Sequence, residues 1–172
     1  KQVVARGIHD HGPRGTESFV EVNCTALPDT LLESELFGRE RGAYTDAHTA
    51  RQGLVETAND GTLFLDEIGH MSEKLQMALL KVIEQRTYRR VGGNDERNSN
   101  ARFLAATSRD LEDAIAAGEF RGDLLYRLNV FTIRLPDLAQ RDADVLLLGF
   151  HYAKQYAEDY GRNMVGLTGD AA

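Results

Sequence analysis

The chain holds a single cysteine, Cys24, so no disulfide can form within it, and such sparse usage fits a reducing cytosol. No run approaches the ~20 apolar residues of a membrane span, and no secretory signal pattern is present. Positive charge is also short. Lys and Arg number 20 against 27 Asp and Glu, which leaves a formal net charge of −7. That balance argues against an electrostatic grip on nucleic acid by this segment and places any DNA-binding part outside it. There is no internal repeat and no low-complexity tract.

What remains is a 172-residue chain, 42% apolar, which suits one globular domain over residues 1–172. A domain of this size buries roughly 70% of the surface its unfolded chain exposes. The sequence opens on Lys1 rather than Met and stops at Gly169, Asp170, Ala171 and Ala172. Both ends are expected to be cuts in something larger.

Helix and strand patterns alternate. Residues 1–9 read as a helix, with Val3, Val4 and Ile8 on one side, and residues 18–24 (SFVEVNC) alternate as a strand. Thr30 and Glu33 match a capping box that opens a short helix ending near Phe37 and Gly38. Residues 39–53 form a Gly- and charge-rich loop, too polar to pack. Residues 61–67 (GTLFLDE) run apolar into two acids, the pattern of a buried strand with carboxylates at its end. A helix over 72–86 carries Leu75, Leu79, Val82 and Ile83 on one face. Residues 88–91 with 92–95 read as a strand and turn. Residues 102–107 (RFLAAT) predict another buried strand, Asp110 caps a helix ending at Gly118, and residues 120–129 are helical. Residues 130–135 (VFTIRL) alternate as a strand, and residues 144–160 form the last helix. The order implies an α/β sandwich with a mainly parallel sheet.

In such sheets ligands sit beyond the carboxyl ends of the strands. Asp66 and Glu67 fall at one such end. Phosphoryl transfer needs an acid there for the Mg²⁺ shell, and hydrolysis needs a group that orients or deprotonates water. Asp66 suits the metal side, through water, and Glu67 the water side; a solvated strand end is the plainer alternative. Thr107 and Ser108 end a second strand, where hydroxyls could hold the attacking water or simply begin a helix. Arg121 and Arg127 lie near the start and end of the short helix over 120–129. Offered to a neighbouring subunit they would stabilise transition-state charge, although two surface arginines alone mark no site. Lys1, with no glycine-rich loop before it in the chain, is by itself merely the first residue.

Longer strings carry more. KQVVARGIH, FVEVNCTALPDTLLESELFGRERGAYTDA, GLVETANDGTLFLDEIGHMSEKLQMALLKVIE, RRVGG, LAATSRDL and FRGDLLYRLNVFTIRLPDL occur in this order. Together they resemble the central domain of sigma-54-dependent transcription activators of the nitrogen-regulatory type, over nearly the whole chain. The resemblance implies an AAA+ P-loop NTPase-type sandwich, truncated before its helical lid, that binds ATP and Mg²⁺. It implies that Lys1 closes the Walker A loop and that Asp66 and Glu67 are the Walker B pair. It makes Asn23 the residue that restrains the catalytic glutamate, Thr107 and Ser108 the first sensor, and Arg121 and Arg127 trans-acting fingers in a ring, a hexamer. Gly42, Ala43, Tyr44, Thr45, Asp46 and Ala47 stand where the family has the GAFTGA loop that contacts sigma-54.

The chain departs from the family at Gln2, usually Glu, and at Ser108, usually Asn. It departs also at Asp46, usually Gly, and over residues 135–141 (LPDLAQR), where LPPLRER is preferred. The implied function is an ATPase core, in a cytoplasmic two-component-type regulator, that remodels sigma-54 RNA polymerase to open promoter DNA. DNA itself would be contacted by a separate domain. The alternative is a nucleotide-dependent regulatory or oligomerisation module that does not engage sigma-54.

Overall fold

In the computed structural model, residues 1–44, 47, 49–141, 144–162 and 166 are described. The chain divides into two units, Lys1–Thr132 and Ile133–Ala172.

The first unit is built on three parallel strands, β1 (Phe19–Asn23), β2 (Thr62–Asp66) and β5 (Arg102–Ala105), in the order β1-β2-β5. The apolar run of β2 follows from its central place, because such a strand is covered on both faces. Phe64 and Thr62 face α1 (Gln2–Asp10). There His9, 2% exposed, bonds Thr62 Oγ1 at 2.9 Å and packs its ring on Phe19, which in turn stacks on Phe64. Leu63 and Leu65 face the larger core. Leu32 and Leu36 of α2 (Asp29–Phe37) enter it, as do Leu75, Leu79 and Val82 of α4 (Glu73–Gln85). Ala114 of α5 (Leu111–Ala116) and Leu124 of α6 (Gly122–Leu128) complete it. Asp110 caps α5 as the sequence predicts, its carboxylate accepting from the N–H groups of Glu112 and Asp113.

Three expectations are corrected here. The capping box at Thr30 does not form: α2 begins at Asp29 behind Pro28, which makes no side-chain cap bond. Glu33, the residue that should reach back, instead accepts from Lys74 of α4 at 2.6 Å. The 39–53 segment packs more than its polarity suggests. Arg39 bridges both Arg51 and Val91, and Ala47 is 3% exposed. A short α3 (Leu54–Thr57) follows it. Residues 130–135 form no strand, and Val130 and Phe131 are 87% and 83% exposed. Alternation alone gives no ladder hydrogen bonds, and among the described residues this segment makes none.

The base of the 39–53 loop is a backbone pinch. Gly38 has φ +78, and a Cβ on Gly53 would lie 2.3 Å from the Gly38 nitrogen, so neither position admits a side chain without displacement. The two-stranded hairpin β3 (Thr87–Tyr88) and β4 (Arg97–Asn98) lies against this base through Val91, which accepts from the Glu40 N–H and donates to Gly38 O.

The second unit holds a 3-10 turn, Leu138–Gln140, and α7 (Asp144–Asp159). That helix agrees with the sequence expectation to within a residue and buries no side chain among those described. No described helix is long and apolar enough to cross a membrane.

Candidate functional site

Parallel register sets the site. Asn23 pairs with Asp66 and Leu65 with Ala105, so the ends of all three strands arrive together. Beyond them the backbone stays tied: Cys24 N–H donates to Asp66 O, Ala106 N–H to Leu65 O, and Ile68 N–H to Ala106 O. Glu67 lies between those two last bonds. It takes a left-handed conformation, φ 55 and ψ 45, which costs a residue with a side chain about 1 kcal/mol or more. Strain of this kind persists only where the surroundings enforce it.

Both oxygens of the Glu67 carboxylate are engaged. Lys1 Nζ donates to Oε1 at 2.5 Å, while Ser108 donates to Oε2 through its N–H at 2.9 Å and its hydroxyl at 2.8 Å. The Lys1 bond, working against burial and aided by both Ser108 donors, holds this carboxyl down at about 2. Asp66 is less occupied; its Oδ1 accepts from Glu67 N–H at 3.0 Å. Cys24, beside them, has its thiol pushed up to about 12 by burial and then by the negative charges of Asp66 and Glu67. At that value it is no nucleophile.

Lys1, Asp66, Glu67 and Ser108 are thus brought together. Asn23 stands across from Asp66, but its Oδ1 accepts from the N–H and hydroxyl of Thr25 at 2.9 and 2.7 Å, and not from the cluster. Thr107 Oγ1 accepts from Arg109 N–H at 3.0 Å. Arg121 and Arg127 make no polar contact with the cluster. Arg121, the N-cap residue of α6, grips Asp123 through Nε at 3.0 Å and Nη2 at 2.7 Å, with Glu73 at 3.5 Å. Arg127 bonds Glu84 of α4 at 2.7 Å. Of the loop residues, Gly42 N–H donates to Ala47 O, Ala47 N–H donates to Tyr44 O, and the Arg39 guanidinium lies 5.7 Å from the Tyr44 ring centroid. A Cβ on Gly92 of the hairpin turn would meet Ala43 at 2.7 Å. Thr45 and Asp46 lie outside the described residues.

Three groups that sequence reasoning passed over also bear on the site. Asp123 and Glu84 hold the two arginines. Gln76, 0% exposed in α4, bonds Met71 O, Glu119 O and Arg121 N–H. Its signal was a polar residue one turn before Leu79 on a core-facing stripe.

A phosphate fits this corner. The first turn of α1 carries no acid, its leading N–H groups have no intrahelical acceptor, and Lys1 stands at its start. Asp66 offers carboxylate oxygen for a hard cation held through water.

Comparison with known proteins points the same way. The family described as "Sigma-54 interaction domain" matches residues 1–134. The chain is similar to the regulatory protein AtoC of Escherichia coli (strain K12), 46% identical over 97% of this chain and 36% of that protein. It is similar to a Nif-specific regulatory protein of Herbaspirillum seropedicae, 47% identical over 99% of this chain and 32% of that protein. Among solved structures, NtrX from Brucella abortus in complex with ATP aligns with TM-score 0.84 and 36% identity, over 93% of this chain and 34% of that one. The chain therefore spans about a third of the length of the curated relatives it matches.

Proposed function

Because the chain belongs to the Sigma-54 interaction domain family of AAA+ ATPases, we propose that it is the ATP-hydrolysing core of a sigma-54-dependent transcription activator. One observation carries this reading: at the carboxyl edge of the sheet Glu67, next in the chain to Asp66, meets the Lys1 ammonium at the start of α1. Lys1 binds the phosphates of ATP, and in doing so exchanges the Glu67 carboxylate for a phosphate oxygen. Glu67, released from that ammonium, becomes basic enough to orient and deprotonate water. Ser108, with Thr107 beside it, marks the position of the γ-phosphate, and Asn23, by giving up its Thr25 bonds, restrains Glu67 until that phosphate is sensed. Asp66 would hold the shell of a Mg²⁺ ion through water, and such an ion would supply charge neutralisation on the phosphates.

Arg121 and Arg127 reach the nucleotide of the next subunit in a ring, a hexamer, and stabilise the transferring phosphoryl group. Arg121, half-buried, and Arg127, exposed, lie toward the two ends of α6, and each would trade an own-chain carboxylate for a phosphate. Turnover is transmitted through the clamped base at Arg39 to the loop of Gly42, Ala43, Tyr44, Thr45, Asp46 and Ala47, which contacts sigma-54 RNA polymerase and drives opening of promoter DNA. The complete protein is a cytoplasmic two-component-type regulator in which a domain outside this chain contacts DNA.

Glu67→Gln in the complete protein is expected to keep nucleotide binding and abolish turnover; near-normal hydrolysis would remove Glu67 as the base. A second reading rests on Asp46, which adds charge where the family has glycine. In that reading the module turns over ATP without engaging sigma-54. Open-complex formation at a sigma-54 promoter with purified protein and ATP supports activation, and its absence despite turnover supports the second reading.

A further inference from the structure

Gln76 is polar, wholly buried, and bonded only to backbone. Its Nε2 donates to Met71 O at 2.8 Å and Glu119 O at 3.0 Å, and its Oε1 accepts from Arg121 N–H at 2.8 Å. A side-chain amide offers two donors and a carbonyl acceptor, so both donors and the acceptor are engaged. The partners are not random. Met71 closes the 3-10 turn Ile68–His70 that follows Glu67, and Arg121 is the N-cap residue of α6. One side chain therefore spans from the turn behind the strand-end acids to the backbone from which the Arg121 guanidinium departs. Filling the core needs no amide here, because the neighbouring core positions of α4 are taken by Leu75 and Leu79. A buried amide is retained where geometry must be fixed, since each backbone group it serves would otherwise be left unpaired.

We infer that Gln76 is a positioning residue for Arg121: it fixes the point from which that arginine reaches a neighbouring subunit. This rests on the reading of Arg121 as a group that acts across a subunit contact.

The test uses the complete protein, with Gln76→Met and Gln76→Glu, and measures ATP affinity, turnover and subunit mixing. Gln76→Met is expected to lower turnover by about 10²-fold, the scale of a small misplacement of a catalytic group. Its ATP affinity should stay within about twofold of wild type, because the defect lies in the transition state alone. Gln76→Glu, as the neutral acid, keeps the acceptor for Arg121 N–H and one of the two donors, so its loss should be smaller.

Mixing separates positioning from general damage. A Gln76→Met subunit retains its own Glu67, and a Glu67→Gln subunit retains its own Arg121. Equal mixtures should recover about a quarter of wild-type turnover, the share of contacts that pair an intact base with an intact arginine. Arg121→Ala mixed with Glu67→Gln is the control and should recover likewise. Recovery in the control but not with either Gln76 variant overturns the inference, because the damage would then lie in the subunit's own acids. No recovery in the control overturns the cross-subunit reading beneath it. Loss of folding in both variants, seen by circular dichroism and thermal melts, also overturns it, since Gln76 would then serve the core alone.

Discussion

Titrating Glu67 tests the Lys1–Glu67 ion pair most directly. Its carboxyl is drawn from an ordinary 4.5 to about 2, chiefly by Lys1 and then by the two Ser108 donors, against burial. A depression of that size corresponds to about 3 kcal/mol at full strength. The side chains of Glu67 and Lys1 are 20% and 31% exposed, so solvent screening reduces the expected contribution to about 1–3 kcal/mol. The sign follows from the direction of the shift. A carboxyl whose folded value lies below its unfolded value stabilises the fold at pH above about 4.5, and that stability is lost as pH falls toward 2. Urea unfolding of the chain and of Glu67→Gln, repeated down this range, should therefore show the gap between them closing as pH falls. Carbon-detected NMR of the Glu67 carboxyl should place its midpoint near 2, and Lys1→Met should move it upward. A wild-type midpoint near 4.5, or one indifferent to Lys1→Met, would refute the ion pair as the cause.

Other consequences can be measured separately. Arg90, 11% exposed, serves Glu56 at 2.9 Å and Glu40 at 3.0 Å, so Arg90→Met should cost about 2–4 kcal/mol in urea unfolding. Paired with Glu56→Gln in a double-mutant cycle, it should show a coupling of about 1 kcal/mol or more; strict additivity would count against the network. Asp110→Ala removes the acceptor of two N–H groups at the start of α5 and should cost about 1 kcal/mol, checked by thermal melting. Leu79→Ala opens the core where Leu79 is 0% exposed, and a loss of about 2–5 kcal/mol is expected in the same urea assay.

Much of this was legible along the chain because it depends on neighbours in sequence. The LFL of β2 lies between two helical layers, and the carboxylates follow at the strand's end. Asp110 caps a helix whose N–H groups lie two and three residues away. The errors come from partners far off in sequence. Glu33 satisfies the capping pattern locally, yet Lys74 on another helix takes it. Residues 130–135 alternate as a strand should, but a strand is defined by the one beside it. Gln76 escaped notice because its polarity reads as surface although its spacing puts it on the core-facing stripe, and only the fold shows three backbone partners waiting inside. Arg90 reads as one of a basic pair until Glu40 and Glu56, distant in sequence, are found around it.

The pinch between Gly38 and Gly53 sets a leash length. A segment clamped where Arg39 meets Arg51 can extend its tip no more than about 20 Å, even with both arms fully stretched. Whatever surface the tip touches must be delivered to within that radius, and no slack can be drawn from the sheet behind it. Lengthening the arms would widen the radius but loosen the tether, so a stroke begun at the sheet edge would be spent in the linker before it arrived.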